Sequence, residues 1–367
     1  MIFQNVAAGL VLFAISLVPA PVLAEIRIAV AGPMTGQFAA FGAQMAGGAA
    51  SAVADINAAG GVNGETLVLE TVDDGCDADK AVAVANQLIG KEVVFVAGHF
   101  CFGPSISASE VYAQAGIIQM SPATTLPKFT QDRPGAGVFR LAPRDDQQAD
   151  VAGAFLARDH ADAHIAFLHD KTAYGKGLVD AVKTVMNGLG KRESLSIGYD
   201  AGEDAYRELV SDLVLQNIDV VYLGGYHPEA GLIKLEMVRQ GLDAILIAGD
   251  ALMTDEYWSV TGSAGNGTLL TYPEVPRRMP AAAKVVTAME EAGLPADRYA
   301  LTTYAAVQIW AQAARQAQTT GFEDVVDALG AGTFETVLGT VAFDDKGDAG
   351  VPAYVWYEWR NGAPVRR

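Results

Sequence analysis

Two similar α/β lobes, each a parallel sheet covered by helices, are what this sequence predicts, on three observations. Short apolar runs alternate with amphipathic stretches, the pattern of parallel layers with helices on both faces. The alternation occurs twice, in two series that share an architecture without sharing a sequence. With the first 24 residues set aside, about 340 remain, more than one usual domain. Two sheets imply two lobes and a cleft between them.

At the start of the chain, Met1 to Ala24 reads as a secretory signal, with Val6 to Pro19 as its apolar run and Val22-Leu23-Ala24 as the small-residue cleavage site. Met1 to Asn5 contain no Lys or Arg, which leaves the α-amino group as the positive charge of this segment. A membrane anchor is the competing reading, and the short run followed by Pro19 and Pro21 weighs against it. Cleavage after Ala24 and an exported product are expected.

The first series has strands at Ile26 to Ala31, Leu67 to Val72, Val93 to Ala97 and Ile117 to Met120. Met45, Ala49, Val53 and Ile56 recur at helical spacing and mark one buried face, and Gly60-Gly61 and Gly64 stop that helix. Val94 to Pro127 forms a βαβ unit whose loops, His99 to Gly103 and Ser121 to Thr125, open on the side where parallel sheets bind ligands. The helix entered at Pro104 turns its free N–H groups toward the same side. The second series has strands at His164 to Leu168, Leu195 to Tyr199, Val220 to Gly224 and Ala244 to Ala248, with helices beginning near Tyr174, Ala205 and Pro228.

Cys76 and Cys101 are the two cysteines, and they fall in loops at adjacent strand ends. Export favours a disulfide between them, worth roughly 3 to 3.5 kcal/mol by loop closure; the alternative is two buried thiols. With 43 acidic against 25 basic residues and a net charge of −18, nucleic acid and anionic lipid are excluded as partners on electrostatic grounds. The chain has no GxSxG elbow, P-loop, HExxH or zinc-spaced cysteine pair, and His99 with Cys101 is too sparse for a metal site. Neither an enzyme nor a cofactor or metal is expected.

Several phrases carry a resemblance: DINAAGGVNGETLVLETVDDGCD (Asp55 to Asp77), VANQLI (Val84 to Ile89), AGHFC (Ala97 to Cys101), HDKTAYGKGL (His169 to Leu178), GGYHPEAG (Gly224 to Gly231) and TTYAAVQ (Thr302 to Gln308). In order and over nearly the whole chain, they resemble the branched-chain amino-acid-binding proteins of ABC importers. The resemblance implies a type I periplasmic binding protein, with two Rossmann-like lobes joined by three hinge crossings and a ligand in the interlobe cleft. The crossings are placed near Ala142 to Arg144, Thr271 to Glu274 and Asp345 to Gly350, with Pro143, Pro273 and Gly347 as hinge-adjacent residues. One lobe then comprises 25–143 and 273–346, the other 144–272 and 347–367. A periplasmic monomer that serves the permease subunits of an importer is implied.

A free amino acid in a dry cleft needs donors for its carboxylate and acceptors for its ammonium. The resemblance places Thr125, with Ala123 and Thr124, beside the head group, Tyr226 on the carboxylate and Asp250 as the ammonium acceptor. Cys101, Phe102 and Gly103 belong to the same first-lobe loop. Phe41, Phe100, Tyr174 and Tyr299 form an aromatic wall suited to an apolar side chain, as in leucine. Two positions depart from the family. Phe102 stands where a serine gives its hydroxyl to the ligand carboxylate, so backbone N–H groups or Ser105 must replace it. Asp250 stands where glutamate is usual. Binders of an aromatic acid, keto acid or amide for the same transporter class are the alternative, together with a ligand-sensing receptor module.

Overall fold

The computed structural model describes residues 25–273, 276–350 and 354–367. The leader, Glu274 of the second crossing and part of the segment after the third therefore lie outside the described residues. Five parallel strands form one sheet: β1 (Glu25–Gly32), β2 (Thr66–Asp73), β3 (Phe95–Gly98), β4 (Ile118–Ser121) and β5 (Val138–Arg140), in the order β2-β1-β3-β4-β5. A second sheet is parallel across β6 (Ile165–His169), β7 (Leu195–Gly198), β8 (Val220–Gly224), β9 (Ile245–Ala248) and β10 (Leu269–Pro273). After the small hairpin β11 (Phe334–Thr336) and β12 (Gly339–Val341), β13 (Tyr354–Arg360) and β14 (Ala363–Arg366) extend that second sheet antiparallel at one edge. Its order is β14-β13-β10-β9-β8-β6-β7.

Around the first sheet lie α1 (Ala39–Ala58), α2 (Ala78–Gly90), α3 (Phe102–Ala115) and the single turn α4 (Lys128–Gln131). The second sheet carries α5 (Asp145–Asp159), α6 (Ala173–Gly188), α7 (Arg207–Leu215), α8 (His227–Arg239) and α9 (Asp255–Thr261). The chain then returns through α10 (Ala283–Glu291), α11 (Arg298–Ala317) and α12 (Phe322–Ala331), and α11 packs on α1, β3 and β4 of the first lobe.

Local chemistry sets these boundaries. The Asp77 side chain accepts from Lys80 N at 2.7 Å and starts α2, Thr172 does the same for Gly175 in α6, and Gly116 at φ 68° ends α3. Met45, Ala49, Val53 and Ile56 are all buried on α1, the face their spacing predicts. Strands β8 and β9 are apolar runs because both their faces are covered by helices. The expected elements are present with ends shifted by one or two residues: β3 begins at Phe95 because Val93 N still closes the end of α2 on Leu88 O, and α7 begins at Arg207.

Three passages of chain join the sheets, after β5, after β10 and after the β11–β12 hairpin. The first and third are fastened together. Arg140, fully buried, donates from Nε and Nη2 to Asp348 Oδ1 at 2.9 and 2.6 Å and from Nη1 to Leu126 O at 2.7 Å. Arg144 Nη1 reaches Asp348 Oδ2 at 3.3 Å, and the backbones pair through Arg140 N to Gly347 O and Ala349 N to Arg140 O. Gly347 has φ 83°, and a Cβ there would lie 2.5 Å from Val138 O, so glycine is required at this contact.

Cys76 and Cys101 form a disulfide with Cα atoms 5.5 Å apart, joining the loop after β2 to the start of α3. Beneath it Asp74 Oδ1 accepts from Cys76 N at 2.8 Å, while Asp74 Oδ2 and His99 Nδ1 meet at 2.6 Å in a fully buried pair. The tie fixes one rim of the cleft. Alkylation of the denatured protein without reductant, read by mass, should label neither thiol. Reduction should lower unfolding stability by about 3 kcal/mol; labelling of both thiols would remove the tie from the account.

Candidate ligand-binding site

Between the lobes the carboxyl ends of both sheets meet, as doubly wound folds require of a ligand site. Phe100, Phe102, Ala123 and Thr125 from the first lobe, with Tyr299 at the start of α11, face Tyr174, Tyr226, Asp250 and Ala251 from the second around a cavity of about 20 Å³. Aromatic rings interdigitate across it. Phe102 meets Tyr174 edge-on with centroids 5.3 Å apart, Phe38 packs on Tyr226 at 4.5 Å, and Phe41 meets His227 at 5.4 Å. These contacts place the lobes in a closed arrangement with room for little more than a water molecule, so admitting an amino acid requires them to part.

Of the residues expected from sequence, Phe100, Phe102, Ala123, Thr125, Tyr174, Tyr226, Asp250 and Tyr299 line the cavity. Phe41 stands behind it, stacked on Phe100 at 4.6 Å and edge-on to Tyr299 at 5.3 Å. Cys101 is held in the disulfide, and Gly103 sits in the first turn of α3 beside Ala78. Thr124 is fully buried with its hydroxyl 2.5 Å from that of Ser105. Ser105 is thus committed to the protein interior and does not supply the donor expected in place of Phe102. The first turn of α3 points Ser105 at β4 and its loop, which leaves the backbone N–H groups of that loop as the other alternative.

Asp250 occupies the first position of a one-turn helix after β9 and is 4% exposed. Its Oδ1 accepts from Tyr174 OH at 3.1 Å and Gln148 Nε2 at 3.3 Å, and its Oδ2 accepts from Arg298 Nη1 at 2.9 Å. Arg298, also 4% exposed, is the first residue of α11 and stacks over Tyr272 with its guanidinium carbon 4.6 Å from the ring centroid. The ion pair therefore spans the two lobes. The chain itself thus supplies a cation for the buried acid.

Gln148 binds the group together: its Oε1 accepts from Thr271 Oγ1 at 2.7 Å and from Asp250 N at 3.2 Å, and its Nε2 also reaches Asp145 Oδ1 at 3.4 Å. Asp145, buried where α5 leaves the first crossing, donates from its backbone N–H to Thr125 O at 2.8 Å. Burial, reinforced by the charge of Asp250, pushes the Asp145 carboxyl up to about 8. Arg298, Gln148 and Asp145 escaped the sequence reading, since no motif or periodicity distinguishes them from surface residues.

A family model described as "Periplasmic binding protein" matches residues 25–364. The chain belongs to the periplasmic binding protein family. Its role is therefore the binding of a solute, and the enzyme class is set aside. This binding protein is 41% identical over 361 residues to the Leu/Ile/Val-binding protein homolog 1 of Brucella suis, covering 98% of this chain and 97% of the relative. A leucine-binding protein from Thermotoga maritima superposes with a TM-score of 0.85 at 24% identity, covering 93% and 97% of the two chains. A transporter substrate-binding protein from Desulfitobacterium hafniense, solved in complex with Leu, superposes at 0.76 with 26% identity, covering 94% of this chain and all of the other. These likenesses bear out the type I fold with two parallel-sheet lobes. Among the described residues no helix is long and apolar enough to cross a membrane.

The raised carboxyl of Asp145 has a consequence for stability. An unfolded aspartate titrates near ~3.9, so between there and about 8 the folded binding protein holds a proton that the unfolded chain releases. The contribution is greatest at low pH and is lost as pH rises through 8. Thermal unfolding between pH 6 and 9 should show the wild type losing stability with pH while Asp145→Asn stays flatter. Equal slopes for the two proteins would show that Asp145 ionises normally.

Proposed function

We propose that this chain is the extracytoplasmic solute receptor of an ABC importer and that its solute is an α-amino acid with an apolar side chain. The observation that carries the reading is the site itself: a buried carboxylate, Asp250, in the wall of a cavity lined mainly by the rings of Phe100, Phe102, Tyr174, Tyr226 and Tyr299, with Ala123, Thr125 and Ala251 between them. An ammonium takes the carboxylate as a charge-assisted acceptor, and the rings take an aliphatic or aromatic side chain. The names of the Brucella and Desulfitobacterium proteins support the same class. Export to the periplasm by a leader cleaved after Ala24, a monomeric state, and delivery to permease subunits complete the reading.

Lobe one is taken as 25–143 with 273–346 and lobe two as 144–272 with 347–367, moving about the three crossings as a hinge. Opening parts Asp250 from Arg298 and lifts the Phe102 ring from Tyr174. A second reading, an aromatic or keto acid without an amino group, is favoured by one observation: Arg298 already neutralises Asp250, so the acid does not demand a cation from the ligand.

Calorimetry on ligand-stripped protein separates the two. Leucine, isoleucine, valine and phenylalanine should bind within about two orders of magnitude of one another, because a methylene is worth only ~0.8 kcal/mol. Glutamate and lysine should give no measurable heat. Tight binding of benzoate or a keto acid, with none of the four amino acids bound, would establish the second reading.

A further inference from the structure

The two residues expected at the ligand's head group, Thr125 on the first lobe and Asp250 on the second, share a neighbour behind the cavity wall. Asp145, 2% exposed, opens α5 directly after the first crossing. Its backbone N–H donates to Thr125 O at 2.8 Å, and the Thr125 hydroxyl lies close enough to its carboxyl to oppose the effect of burial on it. On the other side, Gln148 Nε2 donates to Asp145 Oδ1 at 3.4 Å and to Asp250 Oδ1 at 3.3 Å. That amide is fixed in orientation, because its Oε1 already accepts from Thr271 Oγ1 at 2.7 Å and from Asp250 N at 3.2 Å. A chain of contacts thus runs from Thr125 through Asp145 and Gln148 to Asp250, from one lobe to the other.

When two carboxyl oxygens converge on one amide nitrogen in a buried site, one of the acids keeps its proton into the neutral range. Asp250 holds the charge, since Arg298 Nη1 donates to it at 2.9 Å and Tyr174 OH at 3.1 Å. The groups that face Asp145 give it less. The cation acting on it is Arg140 of β5, whose guanidinium is bonded to Asp348 at 2.9 and 2.6 Å, and Asp146, next along α5, is a further carboxylate. Tyr174 on α6, Tyr222 on β8, Tyr226 before α8 and Tyr354 on β13 also face it, and burial pushes all four phenols well above their usual range, so they stay neutral. Burial first, and then the charge of Asp250, push the Asp145 carboxyl up to about 8. The Thr125 hydroxyl is buried and has no hydrogen-bond partner, on a residue that lines the aromatic cavity. A neutral Asp145 leaves that hydroxyl to the ligand. An ionised Asp145 is a charge-assisted acceptor that competes for it, and for Gln148 Nε2 as well.

We propose that Asp145 is a positioning residue for the ligand's head group: as the neutral acid it leaves the Thr125 hydroxyl to the ligand and Gln148 to Asp250, and on ionising it withdraws both. The assignment rests on the reading of Thr125 and Asp250 as head-group residues and adds a pH dependence to it. Ligand and proton then favour one another, so binding is strongest while Asp145 is protonated and weakens as pH rises through 8.

The test is calorimetry of leucine binding to wild type and Asp145→Asn across about pH 6 to 9, in buffers of different ionisation enthalpy so that protons taken up are counted. Wild-type affinity should fall about tenfold from pH 7 to pH 9, following the fraction of protein that keeps the proton. Binding should take up part of a proton near pH 8 and none near pH 6. Asp145→Asn has no proton to lose, so its affinity should stay level within about twofold over the same range, without proton uptake. A loss shared by both proteins belongs to the ligand's own ammonium. An Asp145 that only supports the fold would change affinity by one factor at every pH, so parallel profiles overturn the proposal while leaving the amino-acid reading intact, as does proton release by the wild type. If benzoate binds and leucine does not, the amino-acid reading fails; proton uptake with benzoate then upholds the role of Asp145, and its absence overturns it. Heat from neither probe overturns both. Should the variant not fold, the wild-type proton count decides: uptake near pH 8 that is absent near pH 6 supports the proposal, and no uptake at either refutes it.

Discussion

The charge on Asp250 is the constraint around which the cleft is arranged. A carboxylate buried to 4% exposure must be met by donors or given up as a neutral acid, and here three donors from three separate parts of the chain converge on it: Tyr174 from α6, Gln148 from α5 and Arg298 from α11. Because Arg298 belongs to the first lobe and Asp250 to the second, satisfying the charge also draws the lobes together. In this arrangement the contact between the lobes and the charge balance coincide. A carboxylate left without Arg298 in an open cleft returns to water, which is where its desolvation cost is recovered.

The rest of the fold serves that meeting. The disulfide and the buried Asp74–His99 pair hold the rim that carries Phe100 and Phe102, while the Arg140–Asp348 pair fastens two of the three crossings to one another. Both are rigid, fully bonded clusters at the ends of strands. On the cleft face the contacts are aromatic rings, whose separation leaves no buried charge unpaired apart from the one ion pair. Asp145, placed between Thr125 on one side and Gln148 on the other, is pushed toward its neutral form first by burial and then by the charge of Asp250.

How much of this was legible in the sequence follows from what each feature depends on. Strands such as Val220 to Gly224 are buried on both faces and read as unbroken apolar runs, so the two-sheet architecture was plain. Strand β13, Tyr354–Arg360, lies between β14 and β10 and mixes buried with partly buried residues in a Trp- and Tyr-rich run, and with β14 and the β11–β12 hairpin it went unread. In the site, Thr125, Tyr226 and Asp250 came from resemblance to a family, which reports positions that have been used before. Arg298 lies 48 residues from Asp250, and Gln148 lies 102. Only the folded chain brings them together, and nothing local to Asp297-Arg298-Tyr299 distinguishes that arginine from one facing solvent.

The most direct test of the account is a double-mutant cycle on the ligand-free protein, with Asp250→Asn, Arg298→Gln and the pair compared by urea unfolding. A buried ion pair joining the lobes predicts that each single change costs about 3–5 kcal/mol, by leaving the other charge dry, and that the double variant recovers much of that loss. Additive effects within about 0.5 kcal/mol would contradict it, and would mean that Asp250 and Arg298 do not share a buried bond across the cleft.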